Sequence, residues 1–181
     1  MQLLGPAVYD KAMATPVLRS TMQRATQYFM VRGRFLLDVM GDGNCVLYCI
    51  SPCFDAFLGR PTFADELRML LVVCLRLNPM FAPELNRELK NEIAARKLPA
   101  DATIEDLLAK FSVPNSFLPP ILVAMATFWY THKSVHVYGV SDAARNEEPA
   151  LLYDENGPAD LIMLYSERQQ HVFRVVLHPQ Q

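Results

Sequence analysis

Residues 41–50 read Gly41-Asp42-Gly43-Asn44-Cys45-Val46-Leu47-Tyr48-Cys49-Ile50. Glycine on both sides of Asp42 suits a tight, unusual backbone path. The apolar run that follows is a helix or a buried strand by periodicity alone. If it is a helix, Cys45 stands at its positive end, where the dipole and a nearby imidazole favour the thiolate. Unpaired backbone N–H groups between Asp42 and Cys45 are then available to hold the oxyanion of an attacked carbonyl. The plainer alternative is a small buried residue after an ordinary turn, since free cysteines often just fill cores.

Upstream, residues 1–20 hold scattered Pro and Gly and read as an irregular leading segment. Residues 20–32 carry Met22, Ala25, Tyr28, Phe29 and Met30, a short helix, and Phe35 to Val39 is a short apolar stretch. Downstream, Thr62 and Asp65 resemble a capping pair, and Phe63, Leu67, Leu70, Leu71, Cys74 and Leu77 recur at helical spacing up to Asn78-Pro79. A second helix starts at Pro83, with Leu85, Leu89 and Ile93 on one side and Glu92 and Arg96 spaced to pair. Thr103 and Asp106 start a third helix through Phe111, and a fourth follows Pro119-Pro120 to about Thr131. Its Trp129, the lone tryptophan, reads as core. The last third changes period. Val135 to Val140, Leu151 to Tyr153, Leu161 to Tyr165 and Val172 to Leu177 look like strands, separated by polar turns at 146–148, 156–158 and 167–170. Helices first and strands last predict an α+β domain, with helical layers on a small, mainly antiparallel sheet.

The chain has 181 residues, 51% hydrophobic and 20% charged. That fits a single domain over 1–181 with a real core and excludes a disordered tail. The longest apolar run, Ile121 to Tyr130, is too short to span a bilayer. Seventeen basic and nineteen acidic residues give a net charge of -2, and no basic run appears, which argues against an electrostatic grip on nucleic acid. No secretory signal is visible, so the chain reads as cytosolic or nuclear, or as a piece of a larger polyprotein. Cys45, Cys49, Cys53 and Cys74 are then reduced thiols rather than a disulfide framework. A metal site on Cys45, Cys49 and Cys53 would need one continuous helix face, which Pro52 is expected to break, and there is no Cys-x-x-Cys pair. No metal or cofactor is expected.

The 41–48 stretch closely resembles the nucleophile motif of the OTU (ovarian tumour) cysteine proteases, with Ser51 where that family tends to place a small residue. The likeness continues through Glu66-Leu67-Arg68, Asn78-Pro79-Met80-Phe81, Val135-His136-Val137-Tyr138, Leu161-Ile162-Met163-Leu164-Tyr165 and His171, and covers roughly residues 36 to 176. It implies a papain-like fold that hydrolyses the isopeptide bond at the C-terminus of ubiquitin or a similar modifier. Cys45 would be the nucleophile and His171 its base. Asp42 would shape the oxyanion loop, with Gly43 and Asn44 in it. The loop 112–119 and the turns near 141–149 and 166–170 would line a channel for the modifier's tail. A monomer in the cytoplasm is the expected state, in the host cytoplasm if the chain is viral. A polyprotein junction as substrate, or ubiquitin binding with weak catalysis, are the alternatives.

Among the histidines, His132 ends a helix, His136 alternates with valines in a strand, and His178 falls in the tail. His171 follows a polar turn at the start of a strand, where a side chain can project into a cleft. Two departures from the family stand out. Val172 replaces the usual aromatic after the histidine. Phe173 replaces the Asp or Asn two residues on, and a phenyl ring cannot accept a hydrogen bond. Some relatives take the acid from upstream of the nucleophile, and Asp38 is the nearest such carboxylate. Phe117 and Leu118 stand where the family commonly has a Trp.

Overall fold

Leu161-Ile162-Met163-Leu164 is apolar at every position because the strand it forms is covered on both faces. The computed structural model describes residues 2–4, 16–145, 147, 151–152, 159–166 and 170–177. Six strands, β1 (Gln2–Leu4), β2 (Arg34–Asp38), β3 (Val135–Gly139), β4 (Leu151–Leu152), β5 (Leu161–Ser166) and β6 (His171–Leu177), form one sheet in the order β1-β2-β6-β5-β3-β4. Neighbours are antiparallel except β3 and β5, which run parallel. A parallel pair needs a crossover connection, and the chain between Gly139 and Leu161 provides it.

Alternation along the strands feeds two cores. Val135, Val137, Leu161, Met163 and Val172 join a cluster with α2 (Cys45–Leu58), α3 (Ala64–Leu77), α4 (Ala82–Ala94), α5 (Ile104–Ser112) and α6 (Pro120–Thr131). Tyr138, Ile162, Leu164, Phe173 and Val175 face the other way, onto Met22, Ala25 and Phe29 of α1 (Pro16–Met30) and Val140 and Ala143 of α7 (Val140–Ala144). Each fully buried Leu, Ile or Phe contributes about 1.5–3 kcal/mol, so both layers hold the sheet. This is the α+β architecture expected from the element order.

Several local expectations are corrected. The 45–50 run is helical and continues through Pro52 to Leu58. Pro52 has no N–H to give the Tyr48 carbonyl one turn back, and the Ser51 hydroxyl donates to that oxygen instead, at 3.2 Å. Thr62 does not cap α3. Its N–H and hydroxyl both donate to Asp55, at 2.7 Å each, and Phe63 takes the cap position. Thr103 and Asp106 do form the reciprocal capping box of α5. Glu92 ion-pairs with Lys110 and Lys97 rather than Arg96, because α4 ends at Ala94 and Arg96 turns left-handed at φ 56°.

Val140 starts α7 instead of ending β3. Within the segment expected to be irregular, Gln2–Leu4 pairs with β2 and α1 begins at Pro16. Trp129 is not core. It is 45% exposed, because α6 turns Leu122, Val123, Ala126 and Thr127 inward and leaves position 129 outside, beside Leu70, Val73 and Leu77. Tyr153, the turn at 156–158, residues 167–169 and His178 lie outside the described residues, as do Asn146 and Glu148 of the 146–148 turn.

Candidate active site

The turn before α2 is fastened from inside. Asp42 accepts the Asn44 backbone N–H at 2.9 Å on one oxygen and the Tyr48 hydroxyl at 2.7 Å on the other. Burial pushes the Asp42 carboxyl up, but these donors outweigh it and hold it below its ordinary value. Gly43 sits at φ +86°, and a Cβ there would lie 1.6 Å from the Asn115 carbonyl oxygen, so only glycine fits.

Asn44 corrects the expectation that its amide serves an oxyanion. Its N–H is committed to Asp42, and its side chain bridges Arg68 and Asn115, at 2.6 Å each. The first helical bond runs from Tyr48 N–H to Asn44 O. The amides of Cys45, Val46 and Leu47 therefore precede the helical ladder, and with that of Gly43 they are the donors this turn offers.

Cys45 is the first residue of α2 and 1% exposed. Burial raises its thiol above the ordinary value, the backbone N–H groups of Val172 and Val46 pull the other way, and the Asp42 charge adds a further upward push. Among the described residues no such donor supports the other three thiols. Burial takes Cys49 well above the ordinary value, and Cys53 and Cys74 up to about 11. All four are free cysteines. The helix therefore presents one thiol with hydrogen-bond support, and the support from Val172 comes from the residue next to His171.

His171 opens β6 after Gln170, which turns left-handed at φ 48°. Its Nε2 lies 2.9 Å from an Asp38 carboxylate oxygen, with the imidazole 16% exposed and Asp38 44% exposed. A carboxylate only accepts, so this contact suits the tautomer with the proton on Nε2, which in the neutral ring leaves the lone pair on Nδ1. Nδ1 faces the turn, 3.5 Å from where a Gly41 Cβ would be. The Phe173 ring packs edge-on against the imidazole, centroids 4.6 Å apart. Asp38 reaches the ring because β2 pairs with β6: continuing the register Leu37↔Arg174 by one step sets Asp38 opposite Phe173. The residue two after His171 and Asp38 are cross-strand neighbours, and either position can present an acceptor to the same ring.

His132 caps α6 in the left-handed conformation and is exposed, and His136 lies within β3, opposite Ile162 and Leu152. A groove of about 810 Å³ is lined by Ser166, the register partner of His171, and by Gln170, the residue before it, but neither Cys45 nor His171 lines it. Phe117, Pro119, Ser141, Asp142, Ser166 and Gln170 are among its lining residues, so it joins the three segments expected to form a channel. Phe117 stacks on Tyr165, with centroids 5.8 Å apart. Among the described residues no group of three or more His, Cys, Asp or Glu could hold a metal ion, and no helix is long and apolar enough to cross a membrane.

The sequence reading missed Arg68 as part of this site. It is 1% exposed and reaches both the 41–44 turn and the 111–116 segment. The signal was present: Arg68, Val72 and Leu75 form a buried i, i+4, i+7 stripe, and a charge on such a stripe needs polar partners across the core.

No protein-family model and no curated protein matches this sequence. Solved structures do match. The OTU domain of OTUD1 superposes with a TM-score of 0.54 at 12% identity, over 87% of this chain and 95% of that one. The viral OTU domain protease from Farallon virus gives 0.54 at 13% identity, over 84% and 89%. An OTU deubiquitinase from Wolbachia pipientis wMel gives 0.53 at 12% identity, over 80% and 88%. At such identities the likeness speaks for architecture, and on it this chain has the OTU fold.

Proposed function

We propose that this chain is a cysteine-type deubiquitinase that cleaves the (iso)peptide bond after the C-terminal glycine of ubiquitin or a ubiquitin-like modifier. The observation that carries the reading is the 2.9 Å bond from His171 Nε2 to Asp38, which leaves Nδ1 turned toward the glycine turn that leads into Cys45. The OTU fold supports it, since two of the structurally similar domains are a protease and a deubiquitinase.

In the mechanism, His171 Nδ1 takes the Cys45 proton as the sulfur attacks the carbonyl carbon. The carbonyl electron pair moves to oxygen, where the Gly43 and Cys45 amides receive it. The imidazolium, held by Asp38, gives its proton to the leaving lysine amine, and water then hydrolyses the thioester and restores the thiol. The groove beside Gln170 and Ser166 takes the modifier's tail.

A fluorogenic ubiquitin substrate tests this directly: turnover by the wild type and none by Cys45→Ala is the expected outcome. The burial of Cys45 and its raised thiol favour a second reading, a module that binds ubiquitin and cleaves it poorly. A ubiquitin probe with a C-terminal electrophile separates the two. Covalent capture at Cys45 supports the enzyme, and tight binding without capture supports the module.

A further inference from the structure

Arg68 is the largest fully buried side chain among the described residues. A guanidinium stripped of water is costly unless its donors are met, and among the described residues no carboxylate meets this one. Carbonyl, hydroxyl and amide oxygens do. Nη1 donates to Phe111 O at 2.8 Å and to Ser116 Oγ at 2.9 Å. Nη2 donates to Asn44 Oδ1 at 2.6 Å, to Ser116 O at 2.8 Å and, more weakly, to Gly43 O at 3.4 Å. Nε has no acceptor among the described residues. The side chain thus serves through its planar fork, a geometry lysine cannot reproduce.

The acceptors belong to two segments. One is the turn that delivers Cys45. The other is 111–116, which runs into Phe117 of the groove. Asn44 to Asn115 and the Gly43–Asn115 approach close the same seam. The peptide unit joining Gly43 to Asn44 is gripped at both ends, its oxygen by Arg68 and its N–H by Asp42. Holding that unit restricts the planes on either side of it, which carry the Gly43 and Cys45 N–H groups.

We infer that Arg68 is a positioning residue: by tying the 41–44 turn to the 111–116 segment it aims the Gly43 and Cys45 amides at the oxyanion. This rests on the cysteine-protease reading. An orienting partner of this kind is worth about 10- to 100-fold when removed.

The test compares two ubiquitin probes on Arg68→Lys, which keeps the charge and loses the fork. With a C-terminal aldehyde, the sulfur bonds to the carbonyl carbon and the π pair moves to an oxygen that takes the thiol proton, so capture reads the oxyanion site. With a C-terminal bromoalkyl group, the sulfur displaces bromide and no oxyanion forms. Aldehyde capture should weaken about 10- to 100-fold, with kcat falling in step and KM little changed, while the alkylation rate stays within about twofold. Equal loss with both probes, or no loss with either, in a variant that melts like the wild type overturns the inference.

If Arg68→Lys does not fold, Ser116→Ala, which removes one acceptor, should show the same selectivity at a smaller size, and unselective loss would overturn it. If the wild type captures neither probe, the deubiquitinase reading fails and hydrogen exchange decides for Arg68 alone. Exchange at 41–45 and 111–116 should then rise about tenfold or more in the variant with β5 unchanged, and unaltered exchange there would count against the clasp.

Discussion

The two halves of the site are held in unequal ways. The Cys45 side, residues 41–45, is bound to its surroundings by Asp42, Tyr48, Asn44, Asn115 and Arg68 and buries Asn44 and Cys45, while Gly41 stays exposed. Among the described residues, the imidazole side rests on one hydrogen bond to a half-exposed carboxylate and one ring contact. A rigid turn with a lightly held base means that most changes on the first side register as stability, and most on the second as rate.

The largest expected effect is on the second side. His171→Ala should lower kcat/KM by about 10³-fold or more with little change in melting temperature, because the ring sits at a strand end. His136→Ala is the control. Should it prove the more damaging to rate, the base is misassigned. On the first side, Gly43→Ala meets both the Asn115 carbonyl oxygen and a positive φ. It should cost about 2–4 kcal/mol of stability, read by urea unfolding, and a neutral outcome would mean the turn is not packed as described. Asp38→Ala should reduce kcat by about 10- to 100-fold without moving the unfolding midpoint by more than a surface change does.

The contrast also has a pH signature. Burial raises the Cys45 thiol, so in the absence of substrate the thiolate is scarce below the ordinary cysteine value and gains about tenfold per pH unit until its own raised value is reached. Alkylation of Cys45 by iodoacetamide should therefore climb steadily through pH 9. A plateau already present at pH 6–7 would reveal a standing thiolate–imidazolium pair, and the nucleophile side would then be electrostatically coupled to the base rather than merely buried. The stability sign follows the same logic. The folded thiols titrate above the unfolded ones, so their contribution is complete below about pH 9 and is lost as pH rises through the folded values, about 11 for Cys53 and Cys74.

Much of the architecture was legible because it is written in local pattern. The 3.6-residue stripe of α3, the Thr103–Asp106 box and the short apolar runs of β5 and β6 each need only neighbouring residues to be read. The turn that leads into Cys45 was legible for the same reason, through Gly41 and Gly43. What escaped was carried by residues distant in sequence. Asp38 was named only through the family likeness, as the nearest upstream carboxylate, because its contact with His171 exists only through the β2–β6 register. Thr62 carries a good capping pattern, yet Asp55, on the preceding helix, claims its donors. Arg68 entered only through the Glu66-Leu67-Arg68 likeness, because its acceptors lie far off in sequence, on the 41–44 turn and the 111–116 segment.

Pro52 shows the opposite failure, a local rule that was overruled locally. Proline inside a helix forfeits the bond to the carbonyl one turn back, here that of Tyr48, and the Ser51 hydroxyl is the nearest substitute donor. If that substitution is what lets α2 run on to Leu58, Ser51→Ala should cost about 0.5–1.5 kcal/mol with no change in kcat. The cost should vanish in a Pro52→Ala background, where residue 52 regains its own N–H. An undiminished cost there would mean that Ser51 stabilises the helix by some route other than the orphaned carbonyl, and the continuity of the helix behind the nucleophile would need another cause.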